Sequence, residues 1–165
     1  MKKLVFALMM LACSFGVWAQ TEENPNLTQG EQESSVPGEM IQFAQIMSSE
    51  TLKGTHGDVT MKLTIMKFRG AVNFILTVDG DEFLTDGEKQ RLMCQFDEGR
   101  NDNYVCINSD GGMTTKTLKF YDQSRTKFKT GLKKGQKCLV TAILQDNDSK
   151  TFTFDLKGLD LSILK

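Results

Sequence analysis

The stretch VTMKLTIMKFRGAVNFILTV, residues 59–78, decides the fold class of this 165-residue chain. Apolar and polar side chains alternate along 59–66 and again along 72–78, and the dipeptide Arg69-Gly70 lies between the two runs. A period of two is typical of strands that bury one face, and a short turn between two such runs is typical of a hairpin. The stretch therefore predicts two neighbouring antiparallel strands.

Shorter runs of the same kind continue towards the C-terminus. They predict strands over 91–96, 104–107, 138–144 and 151–156, separated by polar turns. The segment 114–130 is compatible either with a strand near 115–121 or with a helix. Six or seven short strands predict an all-β fold, or a β-rich α+β fold, arranged as a small antiparallel β-barrel or sandwich.

One helix is predicted ahead of these strands. Met40, Phe43, Ala44 and Met47 are spaced at i, i+3, i+4 and i+7, which places them on one face of a helix. We therefore expect a β-barrel domain over 39–165 that begins with this N-terminal helix.

Three segments of the C-terminal half resemble the OB-fold proteins of the tRNA-anticodon-like type. They are LMCQF (92–96), LKKGQK followed by CLVTA (132–142), and FTFDL (152–156). The resemblance implies an OB-like barrel that serves as a binding scaffold, without specifying a ligand. In two places the chain departs from the family pattern: Ala142 stands where the family usually has glycine, and the connection over 97–113 is longer than usual.

The N-terminus predicts export. Lys2 and Lys3 precede an apolar run over 4–12, and Val17-Trp18-Ala19 has the small residues of a cleavage site. This is the layout of a secretory signal peptide over 1–19, cleaved after Ala19, which gives a periplasmic or secreted protein with no transmembrane segment after processing. The alternative is a lipoprotein acylated at Cys13.

The segment that follows the predicted cleavage site, 20–38, is rich in Glu and nearly free of apolar side chains. Such a segment cannot bury enough surface to offset the entropy of ordering it, so it predicts a disordered acidic linker. The whole chain has a formal net charge of −1. That balance does not indicate a nucleic-acid partner.

The predicted mature chain keeps the cysteines Cys94, Cys106 and Cys138. Cys94 and Cys106 flank a polar turn and form a candidate disulfide if the hairpin is centred on Arg100. The alternative is that all three are buried free thiols. The cysteines have neither a CxxC motif nor a zinc-like spacing with histidine, so we expect no metal and no cofactor.

The sequence contains no recognised catalytic motif. Its single histidine, His56, lies in a Gly-rich segment that we expect to be an exposed loop. We therefore expect a protein without enzymatic activity, although a hydrolase with an unrecognised site stays open as an alternative.

The most unusual charge feature is the segment 116–137, which holds eight basic residues against the single acid Asp122. Aromatic residues are interleaved with the basic ones, as in grooves that hold anionic ligands. The alternative is a solvated face whose aromatics belong to the core. The candidate ligand contacts are Lys119, Arg125, Lys127 and Lys129, with Tyr121 as a stacking platform.

Together these features predict an exported binding or assembly module of the bacterial cell envelope. It would bind an anionic envelope ligand or a partner protein through a barrel groove. A second hypothesis is a structural envelope component that associates by pairing of edge strands.

Overall fold

The fold is that of a computed structural model, which describes residues 18–21, 24–108, 113–145 and 147–165. The strands of the N-terminal part are β1 (Trp18–Thr21), β2 (Asn24–Glu33), β3 (Met40–Met47), β4 (Leu52–Gly54), β5 (Gly57–Phe68), β6 (Ala71–Asp79) and β7 (Phe83–Leu84). The remaining elements are β8 (Lys89–Phe96), β9 (Asp102–Ile107), β10 (Thr114–Thr115), β11 (Thr117–Phe120), the helix α1 (Asp122–Leu132), β12 (Lys137–Ile143), β13 (Ser149–Asp155) and a 3-10 turn at Leu161–Leu164.

Most of the strands belong to one antiparallel sheet in the order β1-β2-β3-β5-β6-β11-β9-β8-β12-β13, with β4 paired to β5. A second, two-stranded sheet joins β7 and β10. The prediction of a mostly antiparallel β-fold is confirmed. Among the described residues β1 and β13 do not pair with each other, so the sheet is not closed into the predicted barrel.

The β5–β6 hairpin forms as its sequence predicts. Phe68 pairs with Ala71, and the two residues between them, Arg69 and Gly70, both have positive φ, 48° and 78°. Two left-handed residues make the type I′ turn, whose twist matches that of the flanking strands. The inward side chains of β5 and β6 are fully or almost fully buried and form the centre of the core.

The prediction of an N-terminal helix over 40–47 is wrong. This segment is strand β3, which pairs with β2 on one side and with β5 on the other. Ala44 and Ile46 face the core, while Phe43 is buried on the opposite face, where the 3-10 turn packs against β3. Burial on both faces gives apolar positions a spacing that imitates a helix, and pairing with two neighbours overrides the local pattern.

The prediction of a disordered linker over 20–38 is wrong for Asn24–Glu33, which forms β2. Leu27 is fully buried in the core. The Asn24 side chain donates hydrogen bonds to the carbonyls of Asp155, at 2.8 Å, and Lys157, at 3.1 Å. These hydrogen bonds to the distant end of the chain help to stabilise a strand that the local composition does not predict.

Most of the predicted signal peptide, residues 1–17, lies outside the described residues. The described residues that follow it form β1, so cleavage after Ala19 would fall within this strand. Neither helix in the part of the chain that the structure describes is long and apolar enough to cross a bilayer.

Helix α1 packs on the sheet through a cluster of aromatic rings. Phe128 is fully buried, and the centroid of its ring lies 4.2 Å from that of Phe120, 5.3 Å from Phe74, 5.4 Å from Phe96 and 5.7 Å from Tyr104. The segment 114–130, for which the sequence allows a strand or a helix, therefore contains both: strand β11 comes first and helix α1 follows. The aromatic residues of the basic segment other than Tyr121 belong to the core.

The predicted Cys94–Cys106 disulfide is not formed, and both thiols are free. Residue Asp102 lies opposite Cys94 in the β8–β9 ladder, and Gln90 lies opposite Cys106. The two cysteines are therefore offset by four positions, which corresponds to about 13 Å along a strand. Disulfides need Cα atoms within about 7 Å.

Candidate ligand-binding site

The structure distributes the five site residues predicted from the sequence over different surfaces. Tyr121 precedes α1, is 48% exposed, and donates its backbone N–H to the carbonyl of Val105 at 3.0 Å. Lys119 lies on β11 between Ile75 of β6 and Ile107 of β9. Its neighbours in sequence face the core, so its side chain lies on the outer face of the sheet.

The helix cations are partly committed to acids. Arg125 Nη2 lies 3.4 Å from Asp122 Oδ1, and Lys127 Nζ lies 3.1 Å from Asp102 Oδ1. The Lys127 ammonium also lies 4.9 Å from the centroid of the Tyr104 ring, a cation–π contact. These contacts fasten α1 to β9.

Lys129 occupies the last turn of α1, where a cation interacts favourably with the helix dipole. All five predicted site residues are described, and of these five Tyr121 lines the groove described next. The other four predicted contacts, Lys119, Arg125, Lys127 and Lys129, are not part of the lining of that groove.

The groove has a volume of about 930 Å³ and lies at the N-terminal end of β8. We call it the β8 groove. Its lining comes from β7, β8, β9, α1, β12 and the connections between elements: Leu84, Thr85, Asp86, Lys89, Gln90, Arg91, Val105, Met113, Tyr121, Gln123 and Ile143. The ladder between β8 and β12 covers Met93–Phe96 and ends where Met93 pairs with Thr141. The two strands separate beyond that pair, and the groove occupies the gap.

Large apolar side chains surround the β8 groove without being covered. Met113 is 76% exposed and Ile143 is 40% exposed. In the sequence, Met113 precedes Tyr121 and Ile143 follows it. Exposed apolar groups that converge on a concave surface mark binding sites more often than scattered ones do. Methionine and tyrosine are also suited to contact with varied partners, because one is flexible and the other combines a flat ring with a hydroxyl.

The charge of the β8 groove is positive on balance. Lys89 and Arg91 are both exposed on the outer face of β8, and neither forms an ion pair within the described residues. The carboxylate in the lining is that of Asp86, whose backbone N–H donates to the Lys89 carbonyl at 2.9 Å. Two cations against one anion favour an anionic ligand.

A buried amide lines the same groove. Gln90 is only 6% exposed and donates its Nε2 to the Ile143 carbonyl at 2.7 Å, bridging the gap between β8 and β12. Its Oε1 is buried and has no hydrogen-bond partner among the described residues. A buried acceptor without a partner costs about 1–3 kcal/mol, and this acceptor belongs to a side chain that lines the groove.

Other reactive side chains lie away from this groove. Burial raises the pKa of the Cys94, Cys106 and Cys138 thiols, which stay protonated and therefore weakly nucleophilic. His56 is exposed at the tip of the β4–β5 hairpin. Over the described ranges, no group of His, Cys, Asp or Glu is arranged to hold a metal ion.

Comparison with protein-family models, with curated proteins and with solved structures finds no match for this chain.

The sequence does not single out Lys89, Gln90 or Arg91 as candidates, and the predicted strand over 91–96 leaves Lys89 and Gln90 outside it. One signal was present. In the alternation along β8, Gln90 takes an inward position that Leu92 and Cys94 continue, and an amide at an inward position needs a partner.

Proposed function

We propose that this protein is an exported, non-enzymatic binding module of the bacterial cell envelope. It holds an anionic ligand or a partner protein in the β8 groove. The observation that carries the proposal is the combination of Lys89 and Arg91 with the exposed apolar side chains of Met113, Tyr121 and Ile143. Sites of this composition bind ligands that combine a negative charge with an apolar part.

The strand order of the C-terminal half supports the OB-like part of the proposal. Three strands (β8, β9 and β11), the helix α1 and two more strands (β12 and β13) follow each other along the chain. Their order in the sheet, β11-β9-β8-β12-β13, is that of a five-stranded OB barrel opened between its third and fifth strands. In this protein β11 pairs with β6 instead of with the fifth strand.

The cations predicted from the sequence, on β11 and α1, remain candidate contacts for a ligand that extends beyond Tyr121. Lys119 and Lys129 are the better candidates, because Arg125 and Lys127 already have a carboxylate within 3.4 Å and 3.1 Å. Surface ion pairs of this kind contribute little to stability, typically about 0–1 kcal/mol, so a ligand could still compete for them.

Association through the edge of β13 has less support. The Thr153 N–H donates to Glu50 Oε1 at 2.6 Å, and the Thr153 carbonyl accepts from the Ser49 N–H at 2.8 Å. The Asp155 carbonyl on the same edge accepts from Asn24. Side chains and loops of the N-terminal part thus cap the groups that an added strand would need.

The proposal is tested with three anionic probes added to the full chain: polyglutamate, heparin, and vesicles of phosphatidylglycerol. We expect at least one probe to bind, and the variant Arg91→Glu to abolish this binding at low salt. The matched control is Lys157→Glu, the same charge reversal on an exposed lysine outside the groove lining. Binding that survives Arg91→Glu, or binding of no probe at all, would overturn the proposal.

The export part is tested separately by cell fractionation and by the intact mass of the protein. We expect it in the periplasm or medium, beginning at Gln20. A cytoplasmic product that still begins at Met1 would overturn this part.

A further inference from the structure

The β8 groove is lined by side chains from both faces of β8. Lys89 and Arg91 lie on the outer face of β8, and Gln90 lies on the inner face. In a continuous sheet the neighbouring strand would separate these side chains. Because β12 leaves β8 after Thr141, a ligand in the gap would reach the two cations and the Gln90 amide together.

The backbone of β8 is also half-paired in this region. Arg91 pairs with Val105 of β9 and has no ladder partner on the β12 side among the described residues, whereas the N–H and C=O of Lys89 both bond to Asp86. An unpaired side of a strand is a site where an extended peptide can add main-chain hydrogen bonds.

Three chemical requirements therefore meet in the β8 groove. The cations require a negative charge, and the exposed ring and aliphatic side chains require an apolar group. The Gln90 Oε1 accepts a hydrogen bond and so requires an N–H or O–H donor.

These requirements separate the classes of anionic ligand. An acidic glycan has donors and charge but lacks an aliphatic or aromatic side chain to cover Met113 and Ile143. A phosphatidylglycerol has a phosphate and headgroup hydroxyls, but its apolar part is a pair of acyl chains embedded in the bilayer, which would have to leave it to reach Met113 and Ile143. An acidic polypeptide has carboxylates, apolar side chains and a regular row of N–H donors.

Accepting the proposed role of the groove, we infer that its occupant is an extended, acidic polypeptide segment that carries a large apolar side chain. A carboxylate of the segment pairs with Arg91 or Lys89, and a backbone N–H donates to Gln90 Oε1. The apolar side chain lies among Met113, Tyr121 and Ile143.

The test uses a fluorescent hexapeptide with one Phe and three Glu, and its binding to the full chain measured by fluorescence anisotropy. Two matched peptides replace Glu by Gln, or carry N-methyl groups on the backbone. We expect each change to weaken binding about tenfold or more, which corresponds to ~1.4 kcal/mol of binding free energy. Arg91→Glu should weaken binding to a similar extent, and the control Lys157→Glu should not.

The variant Gln90→Met isolates the buried acceptor. We expect this variant to bind the unmethylated and the N-methylated peptide equally well, because it lacks the Gln90 Oε1 that accepts the peptide N–H. Circular dichroism checks that the variant is folded. If it is not folded, the surface variant Tyr121→Ala tests the inference instead. This variant should weaken binding of the Phe-containing peptide more than binding of a peptide with Ala in place of Phe.

The outcomes distinguish the two proposals. If heparin or the vesicles bind with the same dependence on Arg91 and the peptide does not, the groove is a binding site and the inference about its occupant is wrong. If the peptide binds and Gln90→Met keeps the preference for free N–H groups, the assigned contact is wrong. If neither the peptide nor any anionic probe binds, both proposals are overturned.

Discussion

Truncation of Phe128 to alanine tests whether α1 is held on the sheet by its aromatic contacts. The Phe128 ring is fully buried, and four other rings lie within 5.7 Å of it, centroid to centroid. Removing a buried phenylalanine side chain costs about 3–5 kcal/mol, the sum of lost transfer free energy and the cavity left behind. Ring pairs add about 0.5–1.5 kcal/mol each, so we expect a loss near the upper limit of that range.

The assay is urea unfolding followed by far-ultraviolet circular dichroism, with thermal unfolding alongside. At roughly 2–4 °C per kcal/mol for a chain of this size, a loss of about 5 kcal/mol should lower the melting temperature by roughly 10–20 °C. The control Phe128→Leu keeps most of the apolar volume and should cost only about 1–1.5 kcal/mol.

The same variant also tests the connection between α1 and the β8 groove. Because Tyr121 directly precedes α1, loosening the helix should also weaken binding of the acidic hexapeptide. A loss of stability below about 1 kcal/mol for Phe128→Ala is within the range of surface substitutions, and would refute the docking of α1 through this ring.

Two further predictions concern the packing of this region and its dependence on pH. Gly131→Ala should destabilise the protein by about 1–3 kcal/mol, because the added Cβ would lie 2.2 Å from the Phe96 ring. This steric cost should exceed the gain from the better helix propensity of alanine. Urea unfolding measures the change, and unchanged or increased stability would contradict the close approach of α1 to β8. Burial raises the pKa of the Cys94, Cys106 and Cys138 thiols above the ordinary value of 9.0. Their contribution to stability is complete below pH 9 and is lost as pH rises towards the folded-state pKa values. The free energy of unfolding should then fall by ~1.4 kcal/mol per pH unit for each thiol that ionises only when unfolded. A triple Cys→Ala variant should lose this alkaline dependence, and an equal slope in both proteins would contradict burial of the thiols.

The sequence predicted strands well where one face of the strand is buried and the other exposed. Strands β5, β6, β12 and β13 satisfy this condition, and their alternation is visible without knowledge of the neighbours. Strand β3 does not, because Phe43 is covered on the outer face by a turn more than a hundred residues away in the chain. No local pattern contains that contact.

Register was the second limit of prediction. The Cys94–Cys106 pairing assumed a hairpin centred on Arg100, whereas Cys94 pairs with Asp102 and the hairpin is centred on Glu98. Asp97 adopts a positive φ of 50° and accepts hydrogen bonds from the backbone of Gln136 and Lys137 through its side chain. The turn position is therefore fixed partly by a contact with the distant strand β12, which the hairpin sequence does not contain.

The candidate site could be predicted only in part, for a related reason. Tyr121 was found because it is an aromatic residue in a basic segment, and local composition is sufficient for that. The other lining residues come from positions between Leu84 and Ile143, and only the sheet order brings them together. Within the basic segment, the contacts of Lys127 with Asp102 and with the Tyr104 ring also join residues that are distant in the sequence.

The β8 groove forms because the segment after Thr141 pairs with the region of Phe83 instead of continuing along β8. After Thr141 this strand leaves β8, and Leu144 forms a bridge with Phe83, next to which the Gln145 N–H donates to the Glu82 carbonyl at 2.9 Å. Phe83 and Leu144 are both fully buried, so this bridge stabilises the separation of the strands. The Gln90 Nε2 replaces part of the missing β8–β12 hydrogen bonding by donating to the Ile143 carbonyl. The Gln90 Oε1 is then left without a partner among the described residues. The bond to Ile143 is sufficient for a purely structural role of Gln90, so the Gln90→Met variant separates that role from the inferred contact of Oε1 with a ligand.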